Sequence, residues 1–381
     1  MLGGLAGPRT VDQTSQVVVI GAGIVGCAVA YELARRGLHV RVIDRREVGQ
    51  GATQASAGVL APYIEAPDRR PLLDLTTRSL DLYDEFVAGI VEDSGAAVQY
   101  ARTGTLEVAS GPQDMTRLES ILAACEARGI GAELLDAGAV RQAEPQLAPA
   151  VHGGLVVESH GFVGVSELTA ALRRAAASHG VAFQTSAAVT RVARNGAAVR
   201  VETAGDALAC EWAIMAAGSW AGHVEIEGAA PVPIRPVRGQ LLHLGWPAPA
   251  LKRVIWAPDC YLVPWSDGSV LAGATSEEVG FDERATVAGV RELIDATRRV
   301  TPAVSNASFQ EARVGLRPAT PDELPVIGPS AAVPGLVYAC GHFRNGILLA
   351  PLTAALVGDL VVDRRLDGAL DITNPSRFGS C

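Results

Sequence analysis

Three glycines and an aspartate near the start of the chain have the spacing of a dinucleotide-binding site. Gly21, Gly23 and Gly26 form a GxGxxG sequence, and Asp44 follows them. Glycines permit a tight turn and let the backbone approach a pyrophosphate, while an acidic side chain can bind a ribose hydroxyl. Gly26 also lets a helix pack close to the preceding strand. We therefore predict that this segment binds a dinucleotide cofactor.

The residues around the glycines predict the strand, helix and strand that such a site requires. Residues 17–20 are apolar β-formers, which is typical of a buried strand. Residues 28–36 are good helix formers that end at Gly37, and a second strand over 38–43 leads to Asp44. The phosphates are expected at the helix N-terminus, where free N–H groups favour anions. A glycine-rich turn in another kind of α/β protein is the alternative, but it leaves Asp44 unexplained.

Length, composition and charge restrict the class of protein. The chain has 381 residues, of which 49% are hydrophobic and 19% charged, which is a globular α/β composition with room for two domains. Its net charge of -9 argues against a nucleic-acid-binding surface. The apolar stretch 17–30 is too short to span a membrane, and the stretch 348–362 is interrupted by Asp359, so no membrane span is predicted.

The cysteines and histidines show no metal-ligand spacing, so no metal site is predicted. The six cysteines are scattered, at Cys27, Cys125, Cys210, Cys260, Cys340 and Cys381. Without a CxxC pair, they are expected as reduced thiols of a cytoplasmic protein.

The rest of the chain predicts a nucleotide domain assembled from separate segments, with an antiparallel sheet inserted between them. Helices are predicted over 72–91, 112–128, 166–179, 287–300 and 345–362, with Ser166 as an N-cap. Strands are predicted over 99–109, 181–185, 187–192, 197–203, 208–216, 238–244, 261–264, 269–274 and 336–339. The proline-containing segment 315–327 is predicted to be a loop.

One arginine stands where a binding role fits better than a solubilising one. Arg317 lies in the apolar, proline-rich segment 315–321. A guanidinium stays charged and binds a carboxylate through two hydrogen bonds. A salt bridge to an acid such as Asp322 is the alternative. The adjacent Glu277 and Glu278 are expected to be solvated.

Three segments carry a resemblance to a known family. Residues 51–60 (GATQASAGVL), 315–322 (GLRPATPD) and 341–351 (GHFRNGILLAP) resemble the FAD-dependent amine oxidases of the D-amino-acid oxidase superfamily. Within it, the chain is most similar to the glycine oxidases of the thiamine-biosynthesis type. The resemblance extends over nearly everything after residue 16.

The resemblance implies an α/β fold in which an FAD-binding Rossmann-like domain carries an inserted α+β substrate domain, built on a mostly antiparallel sheet. The FAD-binding domain is expected from residues 15–95, 150–225 and 312–366, and the substrate domain from 96–149 and 226–311. The ends, 1–14 and 367–381, are expected to be flexible.

The cofactor that the resemblance implies is FAD, bound non-covalently because residues 312–319 contain no cysteine. Contacts to FAD are expected from Gly21, Gly23, Ile24, Gly26, Asp44, Arg45, Thr53, Ala57, Gly58, Val59, Val189, Gly218, His342, Phe343, Arg344, Asn345, Gly346 and Ile347. Gly346 precedes a predicted helix, whose N-terminus would stabilise negative charge on the reduced flavin ring. A structural role is the alternative for His342 and for Arg344.

The implied activity is oxidative deamination of glycine and other small amines or D-amino acids. Tyr261, Arg317 and Arg344 are the expected catalytic residues, with Arg317 and Tyr261 on the substrate carboxylate. A hydride passes from Cα to flavin N5, the imine hydrolyses to glyoxylate and ammonia, and dioxygen becomes hydrogen peroxide. The imine would serve synthesis of the thiamine thiazole. A Tyr261 ring that is merely packed within a sheet is the alternative for that residue.

Several other functions stay open at this point. Ser276 stands where one branch of the family has a bulky apolar residue, so a sarcosine, D-proline or broader D-amino-acid oxidase or dehydrogenase of the same superfamily is an alternative. A non-catalytic FAD-binding subunit is a second alternative, although Arg317 and Tyr261 argue against it. An NAD-linked dehydrogenase would use only the glycine-rich turn. The resemblance also suggests a homotetramer.

Overall fold

The computed structural model describes residues 15–65, 70–247 and 249–381, so the expectation for residues 1–14 lies outside the described residues. Its strands are β1 (Val17–Ile20), β2 (Val40–Ile43), β3 (Val59–Leu60), β4 (Tyr100–Ala101), β5 (Thr105–Ala109), β6 (Ala132–Asp136), β7 (Gly153–Val157), β8 (Gly161–Val163), β9 (Ala182–Gln184), β10 (Val189–Asn195), β11 (Ala198–Thr203), β12 (Ala207–Cys210), β13 (Trp212–Met215), β14 (Glu225–Ile226), β15 (Arg235–Gly245), β16 (Val254–Ala257), β17 (Cys260–Pro264), β18 (Ser269–Gly273), β19 (Ser308–Ala319), β20 (Val326–Pro329) and β21 (Leu336–Cys340). Its helices are α1 (Ile24–Arg35), α2 (Pro62–Glu65), α3 (Arg70–Asp81), α4 (Tyr83–Ser94), α5 (Pro112–Glu126), α6 (Ala137–Ala143), α7 (Val165–Ser178), α8 (Val287–Val300), α9 (Ala350–Val361) and α10 (Ala369–Thr373).

A six-stranded sheet carries the glycine-rich turn. Its order is β20-β21-β13-β1-β2-β9, and all neighbours except β20 and β21 are parallel. Val17 and Val19 contribute to one apolar cluster and Val18 and Ile20 to another. Because both faces of β1 are covered, its sequence is apolar without alternation. Helix α1 then packs against α7 and α9.

An eight-stranded sheet provides the second layer of the site. Its order is β19-β15-β18-β17-β16-β5-β7-β6, and every neighbouring pair except β16 and β5 is antiparallel. Helix α8, whose bounds match the predicted helix 287–300, packs against β15 and β17. Smaller sheets, β12-β11-β10-β14 and β3-β8-β4, complete the fold. The predicted α/β class with a mostly antiparallel second sheet is confirmed.

The eight-stranded sheet departs from the expected division of the chain at two strands. Strand β7 belongs to this sheet, although residues 150–225 were assigned to the FAD-binding domain. Strand β19 crosses the expected boundary between residues 311 and 312. At these two strands, membership of the sheet does not follow the expected domain boundaries.

The expected loop over 315–327 is wrong in its first part. Strand β19 runs through Arg317 to Ala319, and β20 begins at Val326. Pro318 is tolerated because β19 is the edge strand of its sheet, where a missing N–H costs no ladder hydrogen bond.

The expected helix over 345–362 is wrong at its start. Residues 346–349 form turns, and α9 begins at Ala350 with Pro351 in its first turn. Proline fits the first turn of a helix because the N–H groups there have no intrahelical acceptor. The buried, core-facing helix itself is present.

Three smaller expectations also need correction. The helix over 72–91 is split into α3 and α4 at Leu82, and the strand over 99–109 is split into β4 and β5. Gly104, with a φ of 77°, lies in the second interruption and turns the chain. Ser166 lies inside α7, whose N-cap is Gly164.

The C-terminal residues 367–381 are packed, contrary to the expected flexible end. They include α10 and a 3₁₀ helix at Pro375–Phe378. Arg377 Nε donates to Asp322 Oδ2 at 2.8 Å, and Cys381 is buried. These contacts attach the segment to the region after β19.

All six cysteines lie within the described residues, where each is free and buried. Burial raises the pKa of the Cys27 thiol to about 12 and so keeps it protonated. Among the described helices, none combines the length and the apolar character that crossing a membrane requires.

Candidate active site

A cavity of about 510 Å³ extends from the ends of β1, β2 and β13 to strands β17–β19 of the eight-stranded sheet. Its wall contains most of the predicted site residues: Gly21, Gly23, Ile24, Asp44, Arg45, Thr53, Ala57, Gly58, Val59, Val189, Gly218, Tyr261, Arg317, His342, Phe343, Arg344, Gly346 and Ile347. Gly26 and Asn345 lie outside this lining. Residues more than 200 positions apart thus meet around one space.

The glycine-rich turn leaves no room for side chains where the chain passes close to itself. Gly21 has a φ of 110°, and a Cβ there would overlap the carbonyl oxygen of Ala216 on the neighbouring strand end. A Cβ at Gly26 would overlap the carbonyl oxygen of Gly21. Gly26 therefore permits close packing of α1, as its place in the motif predicted.

The N-terminus of α1 opens on the cavity. Its N-cap, Gly23, supplies no side-chain hydrogen bond, and the first helical turn holds no acidic residue. The N–H of Ile24 donates to Thr53 Oγ1 at 3.1 Å, which joins the turn to the segment after β2. A helix N-terminus with this positive character suits a pyrophosphate.

Asp44 ties the end of β2 to the glycine-rich turn. Its Oδ2 accepts from the N–H of Ala22 at 2.6 Å, and its Oδ1 accepts from the N–H of Arg46 at 2.7 Å. Each carboxylate oxygen can accept a further hydrogen bond, as from a ribose hydroxyl. With the cradle formed at Gly21 and Gly26, these residues fit the ADP portion of FAD.

The turn 341–347 carries His342, Phe343 and Arg344 along the cavity. His342 is buried, and its Nε2 lies 2.9 Å from Thr353 Oγ1 on α9. Burial lowers the pKa of His342 to about 4, so the ring is neutral near pH 7. This geometry favours the structural role for His342, whereas Arg344 is exposed at the cavity wall.

The predicted helix N-terminus directly after Gly346 is not found. Helix α9 begins at Ala350, with Leu349 as its N-cap. Gly346 and Ile347 still line the cavity, while Asn345 is buried behind it, with its N–H bonded to the carbonyl of His342 at 2.9 Å.

Arg317 reaches from the edge strand β19 towards β15 and the end of β18. Its Nη1 donates to the carbonyl of Thr275 at 2.9 Å. A Cβ at Gly239 on β15 would overlap the guanidinium. Asp322, the alternative partner considered for Arg317, forms an ion pair with Arg377 at 2.8 Å.

Tyr261 also faces a glycine. It pairs with Gly273 on β18, where a Cβ would lie 2.6 Å from the Tyr261 hydroxyl oxygen. Its ring stacks on Trp256, with ring centroids 5.1 Å apart. The Tyr261 ring is thus packed on Trp256 while the residue lines the cavity.

Three contributors to this end of the cavity were missed by the sequence analysis. Gly239 and Gly273 make room for the two side chains, and a glycine inside a strand is a signal of such close approach. Glu277, expected to be solvated, accepts hydrogen bonds from Arg238, Gln240 and Thr275. Two of these partners, Arg238 and Gln240, lie on β15, so local sequence carries no signal for them.

Known proteins are similar to this chain in sequence and in architecture. The model of the family described as FAD dependent oxidoreductase matches residues 16–360. The bifunctional protein ThiO/ThiG of Synechocystis sp. is 36% identical over 374 residues, which cover 96% of this chain and 54% of that protein. The chain thus spans about half the length of this relative.

Two other relatives match over nearly their whole length. The glycine oxidase of Geobacillus kaustophilus is 31% identical over 358 residues, covering 93% of this chain and 94% of that protein. Its crystal structure has a TM-score of 0.92 and covers 96% of this chain and 99% of that one. Iminodiacetate oxidase from Chelativorans sp. BNC1 has a TM-score of 0.87 at 27% identity, covering 94% and 98%. The chain belongs to the family of FAD-dependent oxidoreductases, and its cofactor is FAD.

Proposed function

We propose that this protein oxidatively deaminates glycine and other small amines, with Arg317 and Tyr261 binding the substrate carboxylate. The observation that carries the proposal is the common cavity, in which both side chains stand against strand glycines and face the space that the glycine-rich turn also lines. The resemblance to glycine oxidases supports glycine as the substrate that binds in this space. A scaffold without turnover has no need of a guanidinium held in this way.

Each residue has a distinct task in this proposal. The Arg317 guanidinium binds the carboxylate, and the Tyr261 hydroxyl donates a second hydrogen bond to it, so that the substrate Cα has a fixed position. The substrate amine must be neutral, but no side-chain base is required to take a Cα proton. FAD would be held by the glycine-rich turn, Asp44 and the turn 341–347, and it would supply the two-electron oxidation of the amine, with dioxygen as the final acceptor and hydrogen peroxide as the product.

The cofactor assignments within the cavity are part of the same proposal. Gly21, Gly23, Thr53 and the N-terminus of α1 would hold the pyrophosphate, and Asp44 the ribose. Residues of the turn 341–347, including Arg344, would lie along the flavin. FAD is held non-covalently, because residues 312–319 offer no cysteine for attachment.

A wider substrate range is the second candidate, and one observation favours it. Ser276, a small residue, lines the cavity next to Thr275. A relative with 27% identity is an iminodiacetate oxidase, named for a secondary amine. Sarcosine, D-proline and D-alanine are therefore substrates to compare with glycine.

The biological setting follows from the resemblance to thiamine-type glycine oxidases. The glycine imine would supply synthesis of the thiamine thiazole, in the cytoplasm, from a homotetramer. We also propose the division into an FAD-binding and a substrate domain, supported by the six-stranded sheet, all of whose strands fall in segments 15–95, 150–225 and 312–366.

The test is a flavin spectrum followed by a peroxide assay. The purified protein should absorb light at about 450 nm and release intact FAD on denaturation. It should produce peroxide with glycine, and the panel of sarcosine, D-alanine and D-proline ranks the substrates. Flavin that none of these amines reduces in the absence of oxygen would instead support a non-catalytic FAD-binding subunit.

A further inference from the structure

Glu277 accepts three hydrogen bonds beside the substrate end of the cavity. Its Oε1 accepts from Gln240 Nε2 and from Thr275 Oγ1, each at 2.7 Å. Its Oε2 accepts from Arg238 Nη2 at 2.5 Å. The Arg238 guanidinium lowers the pKa of this carboxyl to about 2, so Glu277 is charged at neutral pH.

The loop 275–286 is wrapped around the guanidinium of Arg238. The Arg238 side chain is only 5% exposed, and its Nη1 lies 3.1 Å from Asp282 Oδ2. Gln240 closes the base of the loop, since it bonds Glu277 and also accepts from the N–H of Thr286 at 2.8 Å. The loop is thus fixed by a buried charge and an amide, both from β15.

Thr275 connects this network to Arg317. Its hydroxyl accepts from the N–H of Gln240 at 2.9 Å and donates to Glu277. Its own N–H donates to the carbonyl of Gln240 at 3.1 Å. The side chain and the N–H of Thr275 are thus both bonded and hold this residue in place, and its carbonyl accepts from Arg317 Nη1 at 2.9 Å.

We propose that Glu277 is a positioning residue for the substrate carboxylate, acting through Thr275 on the Arg317 guanidinium. The inference rests on the proposed role of Arg317 in carboxylate binding. An arginine side chain has much rotamer freedom to lose, so one that is held in place before binding gives tighter binding. Loss of the Glu277 contacts should therefore change the affinity for substrate rather than the turnover rate at saturating substrate.

The variant Glu277→Gln tests this in the FAD-loaded protein. The amide keeps the size of the side chain but replaces one acceptor oxygen by an NH2 group, which can only donate. The groups around the carboxylate are donors too, so at least one of the three hydrogen bonds is lost. We expect the KM for glycine to rise about tenfold, with kcat changed less than about twofold. The dissociation constant of acetate, followed by flavin absorption, should rise by the same factor.

Two further variants make the result specific. Thr275→Val removes the hydroxyl between Gln240 and Glu277 without changing the side-chain shape. It should also raise the KM for glycine and the dissociation constant of acetate. Glu278→Gln is the matched control. Its carboxylate is 64% exposed and pairs with Arg235 at the surface, so both constants should stay at the wild-type values.

The outcomes separate this inference from the proposed function. Folded, FAD-loaded Glu277→Gln and Thr275→Val proteins that bind acetate as tightly as the wild type would overturn it. If Glu277→Gln does not fold, Thr275→Val decides. Acetate binding that depends on Arg317 and Glu277, in a protein that oxidises no amine, would support the inference and refute the proposed function. Unchanged acetate binding in Arg317→Lys would refute the role of Arg317 and this inference with it.

Discussion

The guanidinium of Arg317 lies so close to Gly239 that a Cβ atom at that position would overlap it. The two residues are on adjacent antiparallel strands, β19 and β15, where Gly239 pairs with Gly315. The space that the Arg317 side chain needs is therefore created by a glycine on the neighbouring strand, and it is sensitive to a single methyl group.

Gly239→Ala should displace the Arg317 side chain and weaken substrate binding. We expect the KM for glycine to rise about tenfold or more, because the guanidinium cannot keep its position, while bound FAD is retained. Steady-state kinetics and the flavin spectrum check this. Gly205→Ala is the control, since a Cβ there meets no atom within 4 Å. Equal KM values in the two variants would show that Gly239 is not needed for this clearance.

Arg317→Ala should abolish glycine oxidation and leave FAD bound. Loss of a charge-assisted, bidentate partner for the carboxylate should lower kcat/KM at least about a hundredfold. A peroxide assay measures the loss, and the flavin absorption measures retention of the cofactor. Arg313→Ala, on the same strand but outside the cavity lining, should keep kcat/KM near the wild-type value. Wild-type kinetics in Arg317→Ala would refute its assignment.

Glu283→Gln should weaken FAD binding. Glu283 forms a bidentate ion pair with Arg46, at 2.9 and 2.6 Å, and Arg46 lines the cavity beside Asp44 and stacks over Trp220. Both partners are partly exposed, so we expect only about a threefold rise in the FAD dissociation constant. Fluorescence titration of the apoprotein with FAD measures it.

A matched control for Glu283→Gln is Glu202→Gln. Glu202 pairs with Arg200 at 2.7 Å on β11, outside the cavity lining. The FAD dissociation constant of Glu202→Gln should equal that of the wild type. Raised ionic strength should remove most of the difference between wild type and Glu283→Gln, and a difference unaffected by salt would contradict an ionic cause.

Stability should fall as the pH drops from about 6.5 towards 4, in part because of His342. The pKa of the buried ring is lowered to about 4, whereas the unfolded chain takes up a proton near its ordinary value. The unfolded state therefore binds more protons in this range, and the free energy of unfolding decreases as pH falls. The loss due to His342 should be about 3 kcal/mol between pH 7 and pH 4.

His342→Gln is the variant that isolates this effect. Glutamine does not titrate and can still bond Thr353, so the variant should lose less stability than the wild type over the same pH range. Urea unfolding at several pH values measures both slopes. Identical slopes would mean that His342 is not the titrating group. His160, buried with its pKa lowered to about 3, accounts for part of the remaining slope.

Features that depend on neighbouring residues in sequence were predictable. The strand 17–20, the helix after the glycines and the place of Asp44 follow from apolar runs and glycine spacing. Helix α8 has the bounds predicted for it, and the hydroxyl of Thr286 caps it by accepting from the N–H of Gly289.

Features that depend on strand pairing were not predictable. Prolines around Arg317 indicated a loop, and only the pairing of β19 with β15 makes it an edge strand that tolerates Pro318. Glu277 was expected in solvent because its partners, Arg238 and Gln240, lie on another strand. The residue types along one chain do not determine the register of such pairs, so the residues that support a site are harder to find than those that form it.

The loop 275–286 contacts both the substrate end and the cofactor end of the cavity. At Thr275 it bonds Arg317, and at Glu283 it bonds Arg46 beside Asp44, the proposed ribose-binding residue. Any ligand that favours one placement of this loop therefore changes the affinity of the other ligand, and thermodynamic linkage makes the two changes equal. A substrate analogue that favours the FAD-bound placement would then lower the dissociation constant of FAD, and saturating FAD would lower the dissociation constant of that analogue by the same factor.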